Sequence, residues 1–167
     1  MIIAWFLAAL ACMVGAGGSA RAATATASVS ANNVKPLVLS KVSDLSLGTI
    51  TLGPGTWSNA TVSVSQAGVL SCGNANLSCT GAVAAATYNV QGSNQQTVLI
   101  RAPNLILTSQ TDPTQTLAMT TNAPASLVLT NSGFPGVNFS IGGSVTLNST
   151  TSGGTYVGTF NVTADYQ

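Results

Sequence analysis

The sequence predicts an all-β protein, an antiparallel sandwich or barrel, and three observations support this. Stretches that alternate between apolar and polar residues recur about every eight to twelve residues, the spacing typical of sandwich strands. Groups of Gly, Pro, Asn, Asp and Ser separate these stretches and favour turns. Helix signals are almost absent, because the one Ala-rich stretch, residues 82–86, is too short and too closely flanked by strand-like segments to form a stable helix.

The strand-like segments follow one another along the whole chain. The first contains Pro36, which restricts it to a sheet edge or a strand start. In the last, every even position from Tyr156 to Tyr166 is apolar or Gly, whereas most odd positions are polar, so we expect one buried and one wet face. We predict strands within residues 34–42, 45–50, 57–65, 82–90, 97–101, 105–108, 116–121, 126–130, 137–140, 143–147 and 156–167.

Residues 1–22 differ in character from the rest of the chain. An apolar run from Ile2 to Ala16 is short for a membrane span, and the sequence Ala20-Arg21-Ala22 follows it as a cleavage pattern. We therefore predict a secretory signal that is removed after Ala22, and hence export through the inner membrane. Cys12 would allow a lipoprotein signal instead, although the residues before it fit a lipobox poorly.

Charge is scarce in the remaining chain, and this excludes several functions. Without His and Glu, the chain lacks the usual groups for general acid–base catalysis, and we predict neither an enzyme nor a bound cofactor. With no basic patch, nucleic acid is not an expected partner. A neutral surface rich in Thr, Ser, Asn and Gln lacks the repulsion that keeps most domains apart, which suits assembly. The charged residues after position 22 are Lys35, Lys41, Arg101, Asp44, Asp112 and Asp165.

Two cysteines remain in the exported part of the chain. Cys72 and Cys79 flank a short polar segment, and an even pair in an exported chain predicts a disulfide that closes this loop. A zinc site is not expected, because zinc takes four Cys or His ligands and the exported chain offers two.

The segment directly after the predicted cleavage site alternates as regularly as the last strand. Residues 23–33 form an amino-terminal extension ahead of a single domain, residues 34–167. At about 3.3 Å per residue, ten of its residues reach roughly 33 Å, yet its only large apolar side chain is Val29. Such an arm is suited to insertion into a neighbour's sheet, or it is the first strand of its own domain or a frayed tail. The small apolar side chains of the arm are Ala25, Ala27, Val29 and Ala31.

The two ends of the chain resemble those of chaperone-usher pilus subunits. Tyr166 is penultimate and Gly154 is fourteenth from the end, two positions that carry Tyr and Gly in that family. Over the exported chain, residues 44–48, 86–92 and 154–160 resemble segments of a secreted, pilin-like family known as domain of unknown function 4402.

The resemblance implies an immunoglobulin-like antiparallel β-sandwich that lacks one strand and is completed by donor-strand exchange. A periplasmic chaperone and then the arm of an identical or related subunit would supply the strand, with an outer-membrane usher assisting assembly. The chain would then be a structural subunit of a pilus or fimbria on the cell surface. The recognition strand that would line the groove comprises Gly154, Tyr156, Phe160, Val162, Ala164 and Tyr166.

A binding module is the alternative function. Trp57, Tyr88 and Phe134 would form a sugar-stacking platform in a secreted carbohydrate-binding or biofilm-matrix adhesion protein, although core packing also explains aromatic residues in a sandwich. A host or matrix glycan is therefore a further possible partner.

Overall fold

The computed structural model describes residues 21–167, and the strands in that range form antiparallel sheets without any helix. The predicted signal, apart from Arg21 and Ala22, lies outside the described residues. No helix in the described range has the length and apolar character needed to cross a membrane. The strands are β1 (Val38–Ser43), β2 (Ser46–Leu52), β3 (Ala60–Val64), β4 (Leu70–Ser71), β5 (Leu77–Ala84), β6 (Ala86–Gln91), β7 (Thr97–Arg101), β8 (Leu105–Ser109), β9 (Thr116–Asn122), β10 (Ser126–Val128), β11 (Val137–Leu147), β12 (Tyr156–Val157) and β13 (Thr163–Tyr166).

The strands of residues 21–167 form three antiparallel sheets. The largest has the order β1-β6-β11-β9-β8-β12, and in addition β3 pairs with the second half of β11 and β4 pairs with β3. A second sheet has the order β10-β7-β13, and β2 pairs with β5 in the third. The smaller sheets lie opposite the large one across the apolar core, so the predicted all-β, antiparallel sandwich is confirmed.

Strand β11 organises the large sheet because its two halves have different partners. Val137–Ile141 pairs with β6, whereas Gly143–Leu147 pairs with β3. Where β11 changes partner, a Cβ on Gly142 would lie 2.8 Å from the backbone carbonyl carbon of Ser65, so only glycine allows these two backbone segments to approach so closely. The prediction of two separate strands here is therefore wrong: the glycines mark a change of partner within one continuous strand.

Apolar side chains of the described residues form two clusters, one toward each end of the sandwich. The first lies between β6 and β11 on one side and β7 on the other, and includes the fully buried Val90, Val98 and Ile141. The second joins β3, β9 and β11 to the β2–β5 pair, and includes Val62 and Val145. Such inward-facing alternation on facing sheets is how a sandwich buries its core.

The terminal strand predicted over residues 156–167 is not continuous. Tyr156–Val157 pairs with β8 of the large sheet, and Thr163–Tyr166 pairs with β7 of the second sheet. Residues 158–162 form no strand, because the chain passes here from one sheet to the other. Alternation persists through this crossing, so the sequence pattern alone does not reveal the break.

Residues 33–167 form one compact unit, to which residues 21–32 do not belong. Residues 21–32 are exposed and contain no strand. Val29, the largest apolar side chain of the predicted arm, is 93% exposed.

Candidate functional site

An open groove with an apolar floor runs along one side of the domain. It consists of two adjoining cavities of about 390 Å³ each, which share Leu47, Gly48, Leu107 and Tyr156 in their linings. Residues 45–52, mostly in β2, form one wall, and residues 151–160 form the other. The floor comes from the inward side chains of β8, β9 and β11, namely Leu105, Leu107, Leu117, Met119, Val145 and Leu147.

Both walls of the groove carry strand edges that lack a partner within residues 21–167. Strand β2 pairs with β5, which does not line the groove, and nothing in this range pairs with its other edge. Strand β12 ends the large sheet and pairs with β8 alone. Unpaired N–H and C=O groups beside an apolar floor are a template for an added strand.

Gly158 gives the carboxy-terminal wall its close contact with β8. A Cβ at this position would lie 2.8 Å from Leu107 Cδ2 and 2.9 Å from Leu105 Cδ1. Ile106 O would lie 3.1 Å away, so a larger side chain would displace the two leucine side chains of the floor, this wall, or both, and would change the shape of the groove.

Charge is confined to one end of the groove. Lys41 Nζ lies 2.7 Å from Asp44 Oδ1 on the exposed rim, and this hydrogen bond, followed by the charge of Asp44, raises the pKa of Lys41 above its ordinary value of 10.5. Tyr88 lies nearby, and burial raises the pKa of its hydroxyl above 10.0. The other lining residues are uncharged, so the groove suits an uncharged segment.

The predicted recognition strand divides between two places. Gly154, Tyr156 and Phe160 line the groove. Val162, Ala164 and Tyr166 instead pack against the first core cluster, beyond the crossing between sheets, and Phe160 also reaches that cluster.

The side chain of Tyr166 connects β13 to two other segments of the domain. Its hydroxyl donates a hydrogen bond to Lys35 O at 2.6 Å and accepts one from Ser93 N at 2.8 Å. These bonds connect β13 to the segments that precede β1 and follow β6. The Tyr166 hydroxyl therefore holds β13 to its own domain.

The predicted disulfide between Cys72 and Cys79 is confirmed, with a Cα–Cα distance of 6.2 Å. Cys72 follows β4 and Cys79 lies in β5, and both pack against the second core cluster. In the described residues, no three His, Cys, Asp or Glu side chains are grouped as a metal site requires.

The three aromatic residues of the predicted sugar platform do not share a face. Trp57 packs against the second cluster and donates its indole N–H to Gly53 O at 3.2 Å. Tyr88 points inward and stacks on Phe139 with ring centres 5.7 Å apart. Only Phe134 is fully open to solvent, at 88% exposure.

The predicted site residues do not include the groove floor, although the alternation of apolar residues in two strands points to it. Leu105 and Leu107 alternate in β8, and Leu117 and Met119 alternate in β9. This alternation predicts an inward face but cannot show that no layer covers part of it, because that depends on how the sheets are placed.

The fold and the groove together define a class: all-β sandwich domains with an open, strand-edged apolar groove. The family model described as "Domain of unknown function (DUF4402)" matches residues 37–166, and the chain belongs to this family. Comparisons with curated proteins and with solved structures gave no significant match.

Proposed function

We propose that the protein is a structural subunit of an extracellular filament, a pilus or fimbria, in which the arm of one subunit occupies the groove of the next. The observation that carries this proposal is the groove itself, an apolar floor between two strand edges that have no partner within residues 21–167. A bound strand would satisfy the main-chain groups of those edges and cover the floor.

The amino-terminal arm has the properties that such a strand needs. Residues 23–32 alternate small apolar and polar side chains, carry no charge, and form no strand. An uncharged segment matches a groove whose charges lie only at one end. Occupation by the arm of an identical subunit gives a head-to-tail contact that does not close on itself, and repetition of this contact produces a filament.

The contribution of each part of the arm follows from its composition. Each main-chain hydrogen bond to a groove edge contributes about 1 kcal/mol net, so the ladder supplies most of the stabilisation. Full burial of Val29, now 93% exposed, adds about 1.5–3 kcal/mol. Ala25, Ala27 and Ala31 add less because their side chains are small.

The remaining parts of the pathway belong to the same proposal. An open groove is an aggregation hazard, so a periplasmic chaperone would cover it until an outer-membrane usher exchanges the chaperone for the next arm. Export by the predicted signal would place the subunit first in the periplasm and then in a filament on the cell surface.

The experiment compares the exported chain, residues 23–167, with the compact unit, residues 33–167. We expect the longer chain to form thin fibres in negative-stain electron microscopy and the shorter one to remain monomeric. A synthetic peptide of residues 23–32 should bind the shorter chain and raise its Tm. Fibres formed equally well without residues 23–32 would contradict the proposal.

Two single substitutions in the peptide test the register of insertion. Val29→Asp places a charge on the buried face and should weaken binding by about 100-fold or more. Ser30→Asp adds the same charge on the opposite face of the strand and serves as the matched control, with little effect expected. Equal losses for both peptides would show that binding is not by an inserted strand.

A further inference from the structure

The outward face of β1, β6 and β11 carries an array of uncharged hydrogen-bonding side chains. Asn89 lies opposite both Ser40 of β1 and Asn138 of β11, and Thr87 lies opposite Ser140. Cross-strand partners share a face, and the buried Ala86, Val90, Phe139 and Ile141 point to the other side. We call this surface the amide face; its members are Ser40, Thr87, Asn89, Gln91, Asn138 and Ser140.

Hydrogen bonds hold the amide groups of this face in fixed orientations. Asn89 Nδ2 donates to Asn138 Oδ1 at 2.6 Å and to Pro135 O at 3.0 Å. Gln91 Nε2 donates to Asn89 Oδ1 at 3.3 Å. Within the described part of the chain, Asn138 Nδ2 and Gln91 Oε1 have no partner, so a donor and an acceptor remain for a ligand.

An exposed aromatic ring stands beside the amide face. Phe134 is 88% exposed on the loop that leads into β11. The side chain of Asn131 restrains this loop, because its Nδ2 donates to Gly136 O at 3.2 Å and its Oδ1 accepts from Gly136 N at 3.1 Å. The bond from Asn89 to Pro135 O joins the loop to the amide face. The exposed ring of Phe134 therefore lies on a loop that hydrogen bonds restrain.

We propose that Phe134 and the amide face form a binding site for a neutral polysaccharide. The C–H groups of a pyranose ring carry partial positive charge and pack on the negative face of an aromatic ring. Sugar hydroxyls both donate and accept, which matches the free amide donor of Asn138 and the free acceptor of Gln91. A ligand that fills such a site needs no charge of its own.

The charges around the site favour this ligand over the alternatives. No member of the amide face is charged, and the nearest cation that the loop meets is Lys35, whose Nζ lies 3.8 Å from where a Cβ on Gly133 would be. One lysine does not neutralise the several phosphates that a nucleic acid presents. A protein partner would need a continuous apolar centre, whereas the exposed apolar side chains here, Phe134 and Val38, are set among polar groups, with Val38 opposite Gln91.

The site is independent of the filament proposal, since the amide face and Phe134 take no part in the groove lining. Repetition along a filament would nevertheless increase the retention of a weak, open site by avidity.

The test is sedimentation of the exported chain with three insoluble neutral polysaccharides: cellulose, chitin and cross-linked dextran. We expect co-sedimentation with at least one of them. Phe134→Leu, which keeps an apolar side chain but removes the ring, and Asn138→Ala, which removes the free amide, should each reduce the bound fraction about tenfold. Phe134→Trp should retain binding.

Ile106→Ala is the matched control, because Ile106 is also exposed, at 65%, but lies on β8, which β9 separates from β11. Circular dichroism checks that each variant is folded. The proposal is overturned if none of the three polysaccharides retains the protein, or if Phe134→Leu and Asn138→Ala bind as the unaltered chain does. Electron microscopy of the same samples reports separately on filament formation.

Discussion

Tyr166→Phe removes one oxygen atom, and the structure predicts a measurable loss of stability with no loss of groove binding. The hydroxyl group makes two hydrogen bonds, to Lys35 O and from Ser93 N, and both partner groups lose their bond in the variant. An unsatisfied buried group costs about 1–3 kcal/mol. Because Lys35 is exposed and Ser93 is half-buried, water replaces part of this loss, and we expect about 1.5 kcal/mol in total.

This free energy converts to a shift in Tm through the size of the domain. Residues 33–167 form the compact unit, and at about 2.1 cal/mol/K of unfolding entropy per residue the unit has roughly 0.28 kcal/mol/K. The expected decrease in Tm is therefore about 5 °C, measured by scanning calorimetry on residues 33–167. Urea unfolding at 25 °C gives an independent value.

Tyr156→Phe is the matched control, because Tyr156 loses only one hydrogen bond, to Ser152 O at 2.8 Å on an exposed loop. Its Tm should change by less than about 2 °C. If Tyr166→Phe lowers the Tm no more than the control does, the Tyr166 hydroxyl does not stabilise the domain as described. If instead it leaves Tm unchanged but abolishes binding of the arm peptide, Tyr166 belongs to the groove.

Three further predictions concern the groove wall, the disulfide and a turn. Gly158→Val should destabilise the domain by about 1–3 kcal/mol in urea unfolding and weaken peptide binding, because the new side chain displaces the floor leucines Leu105 and Leu107 or the wall itself. Replacement of Cys72 and Cys79 by Ser frees a loop of sequence separation 7 and should cost about 2 kcal/mol in the same assay. Hydrogen bonds from the side chain and backbone of Thr114 lower the pKa of Asp112 below 3.8. The contribution of Asp112 to stability is therefore present above pH 3.8 and is lost as the pH falls through the pKa of the folded state. Thr114→Val should raise the pKa of Asp112 in a carboxyl NMR titration.

Controls are available for each of these. Gly153→Val adds a side chain where a Cβ has no neighbour within 4 Å, so its stability should change little, and an equal loss in both glycine variants would contradict the role of Gly158. The unaltered chain under reducing conditions should match the double Ser variant in stability. An Asp112 pKa unaffected by Thr114→Val would contradict the assigned hydrogen bond.

Much of the strand pattern follows from local sequence. Thr97–Arg101 was predicted with its observed bounds, and the alternation in β8 and β9 also located those strands to within one residue at either end. Local signals succeed here because each of these strands has one buried face and ends at turn residues. The disulfide was equally accessible, because an exported chain with two cysteines allows a single pairing.

Alternation failed where a strand changes partner. The glycines of β11 suggested a break that does not exist, and the regular pattern of residues 156–167 concealed one that does. In both places the deciding quantity is which strand lies alongside, and a period of two is the same for any partner. The groove could be predicted only in part. The sequence indicates the wall residue Tyr156, but it does not indicate the floor residues Leu107 and Leu117.

The sequence by itself determined an all-β chain, its neutral surface, its disulfide and an alternating arm, because periodicity and composition are local properties. Only the tertiary structure decided that β2 and β12 have edges over an apolar floor that no strand of residues 21–167 pairs with, that the Tyr166 hydroxyl holds β13 to its own domain, and that Phe134 lies beside an ordered array of amides. These features arise from residues far apart in sequence, and packing of the sheets against one another is what brings those residues together.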